Sequence, residues 1–465
     1  MNKLLVTGAV MAVTGFSSQA VSTEEQIDAL QNEILKIKQD MASDKSKAYF
    51  KKGKGLSIKS SDGKFSFEIK GRLMYDLSAI TAGNDTVDNP SRADNIGTFG
   101  NEFRRARFTI KGEVGDGWGF AFQPDFAETV ADNVGGSATG PKGVDVKDAL
   151  IYKKIKGIGK ISIGNVKSAG GLWENTSSNS ILFMERPMYN EAANLAHRAG
   201  IHYDTAGAFG KKFPLHLKAT LGVGAEGAWR QEQEDSDTIE DNYVASVATH
   251  YTHVMGKKHY VMIGGSYTYE NHSDLRTRSV EARAQGVHTL GEKILDTNIS
   301  DIESYSYGGP QFAYSNGPLF TAGEYYYVNA SRLPDSADDL KTYDDYNANG
   351  ASIFAHYFLT GGAHVALKPA KGSISGVKCK AAMGCTAAKV MFEFANFASD
   401  EASENATDAK VIHIGLNHYF NSNVRLMIDA ARGLYQGGTG MSTDAKGTNV
   451  THNMTSIQTR LHLKW

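Results

Sequence analysis

Basic side chains recur at even spacing inside several extended segments of this chain. Lys70 and Arg72, then Arg105, Arg107 and Lys111, then Arg460 and Lys464, would each share one face of a strand, because successive side chains point to opposite sides. Arg425 takes the same position within Val424–Ala431. The chemistry such faces offer is electrostatic. A row of guanidinium groups inside a low-dielectric wall lowers the entry barrier for anions, and arginine presents a fork that matches phosphate or carboxylate. Glu68, Asp76, Glu113 and Asp429 fall on the same faces, so cross-strand salt bridges are expected to engage part of that charge.

Covalent chemistry has weaker support. Ser246, His250 and His253 occupy one segment, but His250 and His253 would point oppositely and no acid completes a Ser-His-acid set. The 14 histidines show no HExxH or comparable ligand spacing. Neither a cofactor nor a catalytic metal is implied, and the chain is not expected to be an enzyme. A net charge of −2 leaves no basic excess to neutralise phosphates, so no nucleic-acid partner is expected.

The elements that must position the basic rows are membrane strands. In the last nine residues Ile457, Thr459, Leu461, Leu463 and Trp465 alternate with Gln458, Arg460, His462 and Lys464, an oily face backed by a wet one. Mean hydropathy is −0.35, and after the first residues no apolar run approaches the length of a spanning helix. A closed barrel satisfies every backbone group in hydrocarbon and hides easily in a chain of modest hydropathy. The 49 Gly and 42 Tyr and Phe residues, against 9 Pro, suit twisted strands and aromatic girdles.

Sixteen strand-sized segments can be read from Phe65 onward: 65–77, 103–113, 118–126, 146–155, 158–165, 197–204, 213–223, 243–253, 259–270, 301–314, 319–328, 350–358, 389–397, 411–420, 424–431 and 457–465. Short turns such as Gly115-Asp116-Gly117 and Asn421-Ser422-Asn423 alternate with long polar connections, among them 166–196 and 271–300. The fold expected is all-β, a 16-stranded antiparallel transmembrane barrel over 61–465 with a short N-terminal coiled-coil helix. Residues 1–20 read as a signal peptide, 21–42 as a periplasmic coiled coil with an Ile-rich seam (Ile27, Leu30, Ile34, Ile37, Met41), and 43–60 as a linker. One connection at the short-turn rim, 361–387, is long and holds Cys379 and Cys385. These could close a disulfide in an oxidising compartment; a metal site is the alternative.

At Phe103-Arg104-Arg105-Ala106-Arg107-Phe108, Phe183-Met184-Glu185-Arg186-Pro187, Tyr357-Phe358-Leu359-Thr360-Gly361 and Leu416–Arg425 the chain resembles the phosphate-selective porin O and P family. The resemblance covers 55–465. It implies a homotrimer of outer-membrane barrels in a Gram-negative bacterium, an N-terminal helix in the periplasm, and a third long loop folded into the pore. A water-filled channel for passive diffusion of small hydrophilic solutes is then expected, with a preference for phosphate or other anions. Within 166–196, Lys167 and Arg186 face Glu174, Glu185 and Glu191, which makes that preference mild. The residues expected to contact anions are Lys70, Arg72, Arg105, Arg107, Lys111, Lys167, Arg186, Arg425, Arg460 and Lys464. The alternative is a surface protein in which the barrel anchors long adhesive loops.

Overall fold

The computed structural model describes residues 28, 31–35, 47–51, 55–83, 99–127, 144–193, 196–210, 213–223, 243–256, 258–271, 277–289, 293–333, 344–360, 362–397, 408–436 and 451–465. The expected signal peptide lies outside them. Of the expected coiled-coil helix only residues 28 and 31–35 are described; they are helical and exposed, which carries no coiled coil.

Two short strands, β1 (Lys47–Lys51) and β2 (Gly55–Lys59), precede the barrel. Its wall is β3 (Phe65–Gly83), β4 (Phe99–Val114), β5 (Trp118–Asp125), β6 (Asp145–Ile155), β7 (Gly159–Lys167), β8 (His197–Asp204), β9 (Leu215–Val223), β10 (Tyr243–Gly256) and β11 (His259–Asn271). A hairpin of β12 (Thr277–Arg283) and β13 (Lys293–Ser300) stands apart from the wall, which resumes with β14 (Ile302–Asn316), β15 (Leu319–Arg332) and β16 (Tyr346–Phe358). A second hairpin, β17 (His364–Lys368) and β18 (Ser373–Lys378), is followed by β19 (Cys385–Asn396), β20 (Asp408–Tyr419), β21 (Val424–Gln436) and β22 (Thr451–Lys464).

Each wall strand pairs antiparallel with the next, and β22 pairs with β3 to close a cylinder of sixteen strands. All sixteen segments expected from alternation overlap one of these strands. The alternation is visible in exposure: on β22, Ile457 and Leu461 are 57% and 51% exposed while Arg460 between them is 0% exposed. A two-sided strand of this kind needs an apolar solvent outside and partners inside.

The stretch 43–60 is not a plain linker. β1 and β2 form a hairpin, and β2 adds to β3 with Leu56 opposite Ile69 and Lys59 opposite Ser66. The physical reason is an unfilled edge. β3 is long, and β22 covers only its Arg72–Gly83 portion, so the N-terminal part of β3 would expose unpaired backbone. At the junction Gly71 and Trp465 exchange both backbone hydrogen bonds, at 3.2 and 3.1 Å. The Trp465 ring lies directly over Gly71, so close that a Cβ there would sit 2.1 Å from Cζ2.

β4 carries a bulge. Met74 faces Arg105 and Tyr75 faces Phe103, which leaves Arg104 as the extra residue. Two consecutive arginines thereby reach the interior, an arrangement that strict alternation forbids.

Because the Trp465 ring fills the space a side chain would need, Gly71→Val should displace it and destabilise the closed barrel by about 1–3 kcal/mol. The loss should show as a lower unfolding temperature in heat-modifiability gels; an unchanged transition would refute the packing role of Trp465.

Candidate functional site: the loop-filled lumen

The connection from β7 to β8 turns into the barrel. It carries two short helices, α1 (Leu172–Asn175) and α2 (Met188–Ala193). Leu172, Trp173, Ile181, Leu182, Phe183, Met184, Met188 and Tyr189 are buried against wall residues such as Phe320, Phe354 and Tyr326. Ring contacts define the packing: Trp173 lies 4.9 Å from Phe354, Phe183 5.7 Å from the same ring, and Tyr189 5.4 Å from Tyr326. Gly350 admits the approach, since a Cβ there would meet the Tyr189 Cβ at 2.3 Å. The apolar residues of this loop therefore fill part of the lumen with a core.

Backbone carried into a core must find hydrogen-bond partners, and the wall supplies them. The Met184 amide donates to Asp429 (2.9 Å), that of Met188 to Glu393 (2.9 Å) and that of Trp173 to Glu324 (3.3 Å). The Leu182 carbonyl accepts from Lys389 (3.0 Å) and Asn417 (2.8 Å), and the Ile181 carbonyl from Arg425 (2.7 Å). Arg460 donates to the Met184 carbonyl, and Arg72 to Ser178 at 2.5 Å. Arg72, Arg425 and Arg460 thus point inward as alternation requires. They are buried beneath the loop and hold it, rather than lining open water.

Glu185 is the electrostatic centre. Its Oε1 accepts from Arg104 Nε (3.0 Å), Arg105 Nη1 (3.1 Å) and Arg460 Nη2 (2.6 Å), and its Oε2 from Arg104 Nη2 (3.3 Å) and Arg105 Nη2 (3.1 Å). Arg460 also grips Asp76, its cross-strand neighbour, with two bonds of 2.6 Å. Burial alone would raise the Glu185 carboxyl. Arg104, Arg105 and Arg460 outweigh it and hold the group well below the usual carboxylate range. Glu174 behaves similarly: against the effect of burial, Arg186 and Lys167 hold it at about 2. Lys167 reaches it at 2.7 Å, and Arg186 staples the loop internally by donating to the Trp173 and Thr176 carbonyls at 2.9 and 3.0 Å.

A second segment folds inward, where an exterior loop was expected. The β12–β13 hairpin and its 3₁₀ turn at Ala284–Gly286 bury Val280, Ala282, Val287, Leu295 and Ile299. Arg283 pairs with Glu191 at 2.5 Å and His288 with Glu102 at 2.8 Å. Between this hairpin, the loop and the β4–β8 wall lies a cavity of about 240 Å³, room for several waters. Arg104, Arg105, Arg107, Lys147, Lys167, Arg186 and Arg283 line it with Glu174, Glu185 and Glu191: seven cations to three carboxylates. Arg107 is matched by Asp125 directly across the strand pair, at 2.5 Å.

Of the residues expected to contact anions, Arg105, Arg107, Lys167 and Arg186 meet at this cavity. Lys70 and Lys111 do not; both pair with Glu68, at 2.7 and 3.2 Å. Lys464 lies at the far end of β22, its backbone amide donating to Asn423. Arg104, Lys147, His197, Arg283 and His288 were not anticipated. Arg104 depends on the bulge, and Arg283 and His288 come from a segment whose inward fold no periodicity announces.

From the opposite rim the β17–β18 segment also enters the barrel, burying Val365, Leu367 and Ile374, with the Ile374 amide donating to Thr176 at 3.3 Å. Cys379 and Cys385 are joined as a disulfide beside it. Ser246 accepts from Thr268 at 3.1 Å, while His250 faces His216 with ring nitrogens 3.4 Å apart. Among the described residues no cluster has the make-up of a metal site.

Comparison with known proteins bears on this arrangement. A family model described as phosphate-selective porin O and P matches residues 67–465. An uncharacterized protein of Caulobacter vibrioides is 23% identical over 302 residues, 64% of this chain and 54% of the relative, so the match spans about half the length of that curated relative. Among solved structures, an anion-selective porin from Comamonas acidovorans is 11% identical over 86% of this chain and 100% of its own, with a TM-score of 0.51. The outer membrane channel DcaP of Acinetobacter baumannii is 10% identical over 87% of this chain and 99% of its own, with a TM-score of 0.49. The Comamonas likeness is one of fold.

Glu174 and Glu185 stabilise the seated loop at any pH above the ordinary glutamate value of ~4.3, because their folded values lie lower. The Glu174 contribution is lost only as pH falls toward about 2. In a variant retaining Trp173 as its sole tryptophan, acrylamide quenching should stay constant down through pH ~4 and rise only below about pH 3. Onset of quenching at higher pH would show that the arginines do not hold these carboxylates ionised.

Proposed function

We propose that this chain, which belongs to the phosphate-selective porin O and P family, forms a water-filled pore through a Gram-negative outer membrane. Small hydrophilic solutes diffuse through it passively, with anions, phosphate among them, moderately preferred. The observation that carries the preference is the charge around the cavity, seven cations to three carboxylates. Low-dielectric walls focus that excess into the remaining opening, which favours entry of negative solutes. The preference is moderate because resident carboxylates already engage most of the guanidinium groups: Glu185 holds Arg104 and Arg105, Asp125 holds Arg107, and Glu191 holds Arg283. Family membership supports a channel rather than an enzyme.

Assembly as a homotrimer belongs to the same reading. So do removal of residues 1–20 and a periplasmic helix over 21–42; the Ile-rich seam beginning at Ile27 supports association of three or more helices.

In planar bilayers under a salt gradient the reversal potential should carry the sign of anion preference. Arg107→Glu combined with Lys147→Glu leaves the cavity with as many carboxylates as cations, so the selectivity should fall to near zero. Cation selectivity in the unmodified protein would overturn the proposal.

A further inference from the structure

We infer that Arg104, Arg105 and Arg460 form an oxyanion site that the chain fills with its own Glu185 carboxylate, so that Glu185 decides whether a solute anion can stop at the loop. The inference rests on the pore reading above and deepens it. Five N–H donors converge on the two Glu185 oxygens, two from each of Arg104 and Arg105 and one from Arg460, at 2.6–3.3 Å. Two guanidinium forks closed by a third donor are what a bound phosphate or carboxylate would require.

The carboxylate is not the only attachment that keeps the loop in place. The Met184 amide is held by Asp429 and the Met188 amide by Glu393, so the backbone on either side of Glu185 has its own attachments. The Leu182 and Ile181 carbonyls are held by Lys389, Asn417 and Arg425. Nor is the cluster sealed away. Arg104, Arg105 and Glu185 all line the cavity, with Arg104 and Glu185 side chains 21% and 13% exposed. The other carboxylates nearby are committed: Asp76 to Arg460, and Glu102 to His288.

With the tethered anion in place, a passing oxyanion meets guanidinium groups whose donors are occupied. It moves on, and flux does not saturate. With the tether removed, Arg104 and Arg105 face the cavity while Arg460, still paired with Asp76, lies beneath them, and a solute oxyanion takes the vacated position.

The test is chloride current through the full-length protein in planar bilayers while inorganic phosphate is titrated at constant ionic strength. In the unmodified pore phosphate should inhibit chloride current weakly and without saturation. In Glu185→Ala, half-inhibition should appear at a phosphate concentration at least tenfold lower, and adding Arg104→Gln should reverse most of the gain. Equal phosphate sensitivity in Glu185→Ala and the unmodified protein would overturn the inference while leaving anion preference intact; a cation-selective reversal potential would overturn the pore reading instead. Should Glu185→Ala yield no channels, folding it in acetate supplies the missing anion. Channels recovered by acetate but not by chloride at equal ionic strength support the site, and recovery by neither sinks it.

Discussion

A polypeptide led into the middle of a barrel keeps its full complement of amide donors and carbonyl acceptors, each of which must be matched once water is excluded. That requirement organises this interior. The loop between β7 and β8 buries Trp173, Phe183 and Tyr189, and its backbone would be stranded without Asp429, Glu393, Lys389, Asn417, Arg425 and Arg460 on the facing strands. The polar wall is complementary to the loop first. What remains on the β4–β8 side is available to solute.

Holding and conducting therefore draw on the same residue types. Arg460, Arg425 and Arg72 are buried under the loop, whereas Arg104, Arg105 and Arg107 reach the cavity, each with a carboxylate attached. An arginine count along the strands overstates the free positive charge. The effective field is set by how tightly each guanidinium is matched, and this varies from the doubly gripped Asp76 to the single contact between Arg107 and Asp125.

Much of the wall was legible because its cause is local. Alternation at Ile457–Trp465 or Val424–Ala431 reflects two solvents on two faces, and each residue reports its own side. The inward direction of Arg105, Arg107, Arg425 and Arg460 followed from that alone. The bulge at Arg104 was not legible, since it depends on how β3 and β4 meet around Met74 and Tyr75. The inward fold of β12–β13 and of β17–β18 was hidden for a related reason. Their apolar residues pair with the lumen core rather than with lipid, so no long-range period marks them. The β1–β2 hairpin escaped notice because its lysines and glycines compose like a tether, while the edge it docks on is left free only because β3 runs beyond the end of β22.

That hairpin has a consequence for the geometry of the whole cylinder. Ile69 is matched to Leu56 and, two positions on, Gly71 is matched to Trp465, so segments from remote parts of the sequence abut on one margin of β3. Neither can advance along β3 without displacing the other. Sliding by a single residue would turn every oily side chain of β22 toward the interior, and the abutment blocks such a slip toward the joint. The stagger with which sixteen staves come round to meet the first is fixed at this joint, and with it the angle at which Asp76 is presented to Arg460.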